Sequence, residues 1–277
     1  MTLRFLNMTQ QLTKAESRIL DYITNNTETF LFMSIGQLAR DNDTSEATVS
    51  RFVRHVGCKN YKELKQRVME QAALEGPAAK MVQTLTENDS FSLEGWMHKQ
   101  QCYLEKTLES LDDKVFRQAV TAVLSARRVF IHAKSASAAL GRLLSFRLRR
   151  LGIETILLPS GGSEVLEGLA QVHKDDLVIM FSFSKVSYEG EMILQCQKDA
   201  GYTTLAFTSR TFIPDAQKAD INVFVYRGPA KEYHSISAPA AVVDALVVAV
   251  SEQMGPESAR HLSRLYEIKK KYSYSSR

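Results

Sequence analysis

The sequence has little of what would place it outside the ordinary globular class. Its three cysteines in 277 residues, Cys58, Cys102 and Cys196, stand far apart with no C-x-x-C pair. That spacing excludes a disulfide framework and gives no metal site. No apolar run approaches the roughly 18 residues of a membrane span, and the stretch from Met1 to Met8 lacks the long apolar core of a secretory signal. Thirteen glycines and six prolines are too few for a low-complexity or fibrous chain. Neither sign of charge dominates, and a net charge of +4 does not by itself imply a nucleic-acid partner. What is left is a cytoplasmic chain with reduced thiols, no membrane partner, no metal and no cofactor, long enough for two domains.

What is present is a local excess of charge and a series of helix-end signals. Between Ser45 and Arg67 lie six basic residues (Arg51, Arg54, Lys59, Lys62, Lys65, Arg67) against Glu46 and Glu63. Thr13-Lys14-Ala15-Glu16 is a capping box that opens a helix with Ile19, Leu20 and Ile23 inward, ending near Asn25-Asn26. A second box, Ser34-Ile35-Gly36-Gln37, opens a short helix, and Asp41 to Thr44 makes a turn. Ser45 then caps a helix reaching about Val56, with Val49, Phe52, Val53 and Val56 inward and Gly57 as its left-handed end. Asn60-Tyr61-Lys62-Glu63 opens another. Two short helices, a tight polar turn and a third helix that begins in small residues predict a helix-turn-helix. Ser45, Ala47 and Thr48 permit close approach to base edges; Ser50, Arg51, Arg54, Lys59 and Lys62 are placed for bases or phosphates. The bland alternative is a three-helix bundle with solvated basic residues.

Gly76-Pro77-Ala78-Ala79 reads as a break, and the polar stretch from Thr84 to Ser92 as a linker. Helical spacing resumes with Trp96, Tyr103, Leu104, Leu108 and Leu111 on one face, then from Asp112 with Val115, Phe116, Ala119, Val120 and Val123. Beyond residue 128, strands and helices alternate. The strands are Val129–Ala133, Ile153–Leu158, Leu177–Phe181, Thr203–Phe207 and Ile221–Tyr226. Repeated βαβ units predict a doubly wound, five-stranded parallel sheet, whose switch point in a 2-1-3-4-5 order would fall between the first and third strands. Its ligand crevice lies where the strands ending at Ala133 and Phe181 diverge. The third strand ends in Ser182-Phe183-Ser184 before a helix start, which suits an anion or, more plainly, is a capped βα turn. His132 reads as a satisfied core histidine, and Ile236 to Val250 as a helix buried nearly all round. Arg127, Arg128, Lys134, Arg142, Arg147, Arg149 and Arg150 read as a solvated basic stretch. Glu164, His173 and His234 are peripheral ligand candidates.

The run Ser45-Glu46-Ala47-Thr48-Val49-Ser50-Arg51-Phe52-Val53-Arg54-His55-Val56-Gly57, with Asn60-Tyr61-Lys62-Glu63-Leu64-Lys65, resembles the RpiR-type bacterial transcription regulators. That resemblance implies an all-α helix-turn-helix domain (residues 1–75), a connector (76–127) and a SIS-like α/β effector domain (128–277). In that family the first strand runs into G-x-G-x-S and the third into S-x-S-G-x-T, whose hydroxyls hold a sugar's phosphate. Here Ala133-Lys134-Ser135-Ala136-Ser137 lacks both glycines, and Ser182-Phe183-Ser184-Lys185-Val186-Ser187 carries Lys185 in the glycine's place. The implied effector set is Ser135, Ser137, Ser182, Ser184, Lys185 and Ser187, with Lys185 at the anion, turned to solvent, or blocking the pocket.

The expectation is a homodimeric or homotetrameric DNA-binding regulator. Its operator affinity answers to a small anionic effector such as a sugar phosphate, and no residue is catalytic. A sugar-phosphate isomerase with a helical extension is the alternative. It needs a positioned base, and no Glu/His pair at a strand end is evident from sequence.

Overall fold

Helix-end chemistry builds the N-terminal elements. In this computed structural model, which describes residues 12–72, 76–85 and 91–272, the chain divides into two units: residues 1–99 with 228–234, and residues 100–227 with 235–277. The N-terminal stretch to Met8, residues 86–90 of the expected linker and the tail from Ser273 lie outside the described residues.

In the first unit α1 (Lys14–Asn25) starts at the Thr13 capping box and α3 (Ile35–Asp41) at the Ser34 box, both with reciprocal hydrogen bonds. Ser45 caps α4 (Glu46–His55) and Asn60 caps α5 (Tyr61–Gln71). Gly57, at φ +82°, takes the left-handed position after α4. Between α1 and α3 lies α2 (Thr27–Phe32), one and a half turns that escape a periodicity reading but bury Phe30 and Leu31. The helix opened at Asn60 does end before Gly76-Pro77, but that pair then opens an unforeseen helix, α6 (Gly76–Leu85). Proline is at home in a first turn, where its missing N–H has no partner to lose. Val82 of α6 packs into the same core as Ile19, Phe30, Leu38, Phe52 and Leu64.

Helix α7 (Leu93–Ser110) follows. In the second unit it buries Tyr103 and Thr107 and leaves Leu104 and Leu108 exposed, Leu108 by 77%. Of the apolar face expected from spacing, Tyr103 and Leu111 therefore reach the core and Leu104 and Leu108 do not. Thr107 earns its burial by hydrogen bonding: its hydroxyl donates to the Tyr103 carbonyl and accepts from the Tyr226 N–H. After α8 (Asp113–Ser125) come β1 (Val129–His132), α9 (Ser137–Arg150), β2 (Thr155–Leu157), α10 (Glu164–Leu169), β3 (Leu177–Phe181), α11 (Tyr188–Ala200), β4 (Thr203–Thr208) and β5 (Ile221–Phe224). All pairings are parallel, in the order β2-β1-β3-β4-β5. Alternation along the strands separates two cores. Val129, Ile131, Leu177, Ile179 and Phe181 face α8, α9 and α12, while Phe130, Val178 and Met180 face α10 and α11.

Helix α12 (Ser237–Met254) has the length and composition of a membrane span, with a mean hydropathy of 1.2. It buries Val243, Leu246 and Val250 against the sheet's helices but exposes Ala241, Asp244, Ala245 and Val248. The expectation of burial all round is corrected. In the single chain α8 and α9 cover one side only. Helix α13 (Pro256–Tyr272) closes the described chain.

Candidate functional site

On the first unit, Arg51, Arg54, Lys59 and Lys62 are exposed and form no salt bridge among the described residues. Ser45 and Ala47 are exposed; Thr48 and Ser50 are half-buried. The Ser45 hydroxyl accepts the Thr48 N–H and lies 3.0 Å from the Thr48 hydroxyl, which in turn accepts from Arg51 at 3.3 Å. The other two basic residues of the run behave differently. Lys65 is buried with its ammonium 5.5 Å from the Tyr61 ring centre, and Arg67 pairs with Glu63 at 2.6 Å. The helix is braced from behind, where His55 meets Glu16 at 3.0 Å. Burial works to raise the Glu16 pKa, but the Thr13 N–H and His55 outweigh it and the carboxyl sits below its ordinary value.

In the second unit a cavity of about 420 Å³ opens at the carboxyl ends of β1 and β3, the switch point of the sheet. From the end of β1 and the turn after it come His132, Lys134 and Ser135; from the turn after β3 come Ser182, Lys185, Ser187 and, at the start of α11, Glu189. Ser135 takes φ +51°, the left-handed conformation a glycine would adopt, at a cost of about 1 kcal/mol for a residue with a side chain. Ala133 also fits in place of glycine, because α9 offers Gly141 opposite it: a Cβ on Gly141 would lie 3.0 Å from the Ala133 methyl.

The structure thus brings together Ser135, Ser182, Lys185 and Ser187. It places Ser137, the first residue of α9, and Ser184 outside the cavity lining. Ser184 is engaged elsewhere, accepting from Arg227 Nη2 at 3.0 Å. Arg227 also donates to Ser209 at 3.2 Å and stacks 4.0 Å over the Phe183 ring, and its burial lowers its pKa to about 10. Ser187 is the N-cap of α11, its hydroxyl accepting from the Gly190 N–H at 3.2 Å.

Sequence reasoning missed two features. Lys134 Nζ lies 2.8 Å from both oxygens of Glu189. That ammonium first, then the N–H of Glu189 itself and Ser187, draw the Glu189 pKa down to about 2 against some loss of solvation. His132 is 97% buried, and burial lowers its pKa despite the nearby Glu189 charge. Lys134 and Glu189 are 55 residues apart, and Lys134 stands at an unspecified position of its loop pattern. The reading of a solvated basic stretch holds for the exposed Arg142 and Arg149 and is corrected for the others that pair: Lys134 with Glu189, Arg127 and Arg128 with Asp176, and Arg147 with Asp244. Of the peripheral candidates, Glu164 is exposed outside the lining and His173 sits at the opposite end of β3. His234 contacts the Pro229 carbonyl at 3.2 Å. A larger depression, about 470 Å³, is lined by Glu191, Gln195, Lys198 and Asp199 on α11 and is ordinary solvated surface.

Comparison with known proteins agrees with this architecture. The helix-turn-helix domain of the rpiR family matches residues 1–75 and the SIS domain matches residues 123–249. An HTH-type transcriptional regulator of Caldanaerobacter subterraneus is 25% identical over 269 residues, covering 94% of each chain. The HTH-type transcriptional regulator HexR of Pseudomonas aeruginosa is 26% identical over 271 residues, 93% of this chain and 91% of that one. The structure of Vibrio vulnificus NanR, complexed with ManNAc-6P, superposes with a TM-score of 0.59 at 22% identity over 98% of both chains, a likeness of fold. The helical unit and the five-stranded unit are therefore the two halves of an HTH-type transcriptional regulator, and the chain belongs to the RpiR family, a helix-turn-helix domain joined to a SIS domain.

Proposed function

We propose that this regulator binds a two-fold-symmetric DNA operator as a homodimer or homotetramer, and that a small phosphorylated sugar or related organic anion in the β1/β3 cavity sets its operator affinity. The observation that carries the reading is the cavity itself. It sits at the switch point of the sheet, with hydroxyls from Ser135, Ser182 and Ser187 and ammonium groups from Lys134 and Lys185 around one helix start. NanR, whose structure holds ManNAc-6P, supports the sugar-phosphate class. On the helical unit, Ser45, Ala47, Thr48, Ser50, Arg51, Arg54, Lys59 and Lys62 are the DNA-facing set. Coupling between the two follows from linkage, if the ligand binds two arrangements of the protein unequally.

The isomerase alternative gains one observation, since His132 and Glu189 do share the cavity. It loses more by the chemistry. A carboxylate held near pH 2 by an ammonium is a poor base at neutrality. A thermal-shift screen of phosphorylated sugars, followed by turnover assays on those that bind, tests both readings. A ligand at a hundredfold over its Kd adds about 2.7 kcal/mol of apparent stability. Binding without turnover supports regulation, and turnover supports the isomerase.

A further inference from the structure

His132 ends β1 and is 3% exposed, yet neither ring nitrogen has a hydrogen-bond partner among the described residues. It lines the cavity. The reading of a satisfied core histidine is therefore corrected. The Pro159 carbonyl lies close enough to act on the ring's titration, without reaching hydrogen-bond geometry. Burial favours the neutral imidazole, which carries one N–H and presents one lone pair. The remaining groups divide by chemistry. Lys134, Lys185 and the hydroxyls of Ser182 and Ser187 suit the oxygens of an anion. The His132 lone pair and the Glu189 carboxylate repel such oxygens and suit O–H donors. Donors for an anion and acceptors for hydroxyls thus stand side by side in one cavity.

We propose that His132 contacts the ligand directly, accepting a hydrogen bond from one of its hydroxyl groups, so that the cavity selects a polyhydroxylated organic anion over bare phosphate. This rests on the cavity being the effector site. A buried polar group without a partner weakens a fold, whereas an apolar side chain of similar size in its place does not. Ligand binding and the stability of the free protein therefore respond to His132 in opposite directions, which a purely structural histidine does not do.

The test is thermal melting of the full-length chain, native and His132→Leu. Each is run in buffer alone, with inorganic phosphate, and with equal concentrations of fructose 6-phosphate, glucose 6-phosphate and N-acetylmannosamine 6-phosphate. The native protein is expected to gain more from at least one sugar phosphate than from inorganic phosphate. His132→Leu is expected to melt at or above the native temperature without ligand and to keep the phosphate response. Its affinity for the sugar phosphate should fall at least tenfold. His132→Asn, which keeps an acceptor, should recover part of that affinity. Undiminished sugar-phosphate affinity in His132→Leu overturns the proposal, and so does a variant that melts well below the native protein without ligand. If no sugar phosphate stabilises the native protein beyond inorganic phosphate, the cavity reading itself falls, a failure distinct from the first two.

Discussion

The two ends of the parallel sheet each bury a carboxylate on basic partners, and they differ in what is left over. At the amino end, Asp176 takes Arg127 and Arg128, each at 3.0 Å, and the His173 N–H at 2.9 Å, while Arg128 also donates to the Gln171 carbonyl. Burial alone would raise the Asp176 pKa, but these donors bring it down to about 2. At the carboxyl end, Glu189 takes Lys134 and reaches a similar value, but a cavity opens beside it with hydroxyls, Lys185 and an unsatisfied imidazole. One end is a closed staple between β1 and β3. The other has polar capacity to spare, and spare capacity is what a ligand site needs. The helical unit shows the same division between paired and available charge: Arg67 and Lys65 are engaged, and Arg51, Arg54, Lys59 and Lys62 form no salt bridge among the described residues.

The contrast is broken most severely at the staple. Asp176→Ala leaves two guanidinium groups without their acceptor and should cost about 3 kcal/mol in urea unfolding, the low end for a buried pair because Arg127 is half exposed. Glu189→Gln should cost less in the same measurement, because Lys134 is 40% exposed and turns to solvent whereas Arg128 is held at 17%. Equal losses would erase the distinction between the two ends. Next in size is the exposed basic face. Arg51→Ala with Arg54→Ala should lower operator affinity on the order of tenfold and flatten the salt dependence by about two ions, read by fluorescence anisotropy across salt. Unchanged binding would remove both residues from the interface.

Acid should expose the two carboxylates together. Both are drawn to about 2 in the folded protein, from ordinary values of 3.8 and 4.5. The unfolded chain therefore binds protons first, so their stabilisation is complete above about pH 4.5 and is lost as pH falls towards 2. Urea midpoints between pH 2 and 6 should fall on the acid side, and less steeply in Asp176→Asn. The smallest effect is expected at Ser184→Ala. It loses one hydrogen bond to Arg227, about 0.5–1 kcal/mol, and should disturb ligand stabilisation less than Ser187→Ala, which lines the cavity.

Much of the fold was legible because its signals are local. The caps at Thr13, Ser34, Ser45 and Asn60 each lie within four residues of the groups they satisfy. The five-stranded parallel sheet followed from repeated βαβ units with short apolar strands. What escaped the sequence depends on neighbours distant in the chain. Spacing along α7 names Tyr103 together with Leu104 and Leu108, but beside Tyr103 it is Thr107 that is buried, because the Tyr226 backbone lies there. Lys134 and Glu189 are 55 residues apart, and Ser184 and Arg227 are 43 apart. No motif joins either pair. Ser135 shows the limit of a pattern: the glycine is gone from the sequence while its backbone conformation remains.

Control of DNA by the cavity is tested most directly with full-length protein on a fluorescent fragment of the DNA flanking its own gene. Operator affinity is measured with and without the sugar phosphate that raises the melting temperature most, in the native chain and in Ser187→Ala. A shift of at least fivefold in the native chain, absent from Ser187→Ala although both bind the fragment equally without ligand, is the expected result. A sugar phosphate that stabilises the protein yet leaves operator affinity unchanged would contradict it.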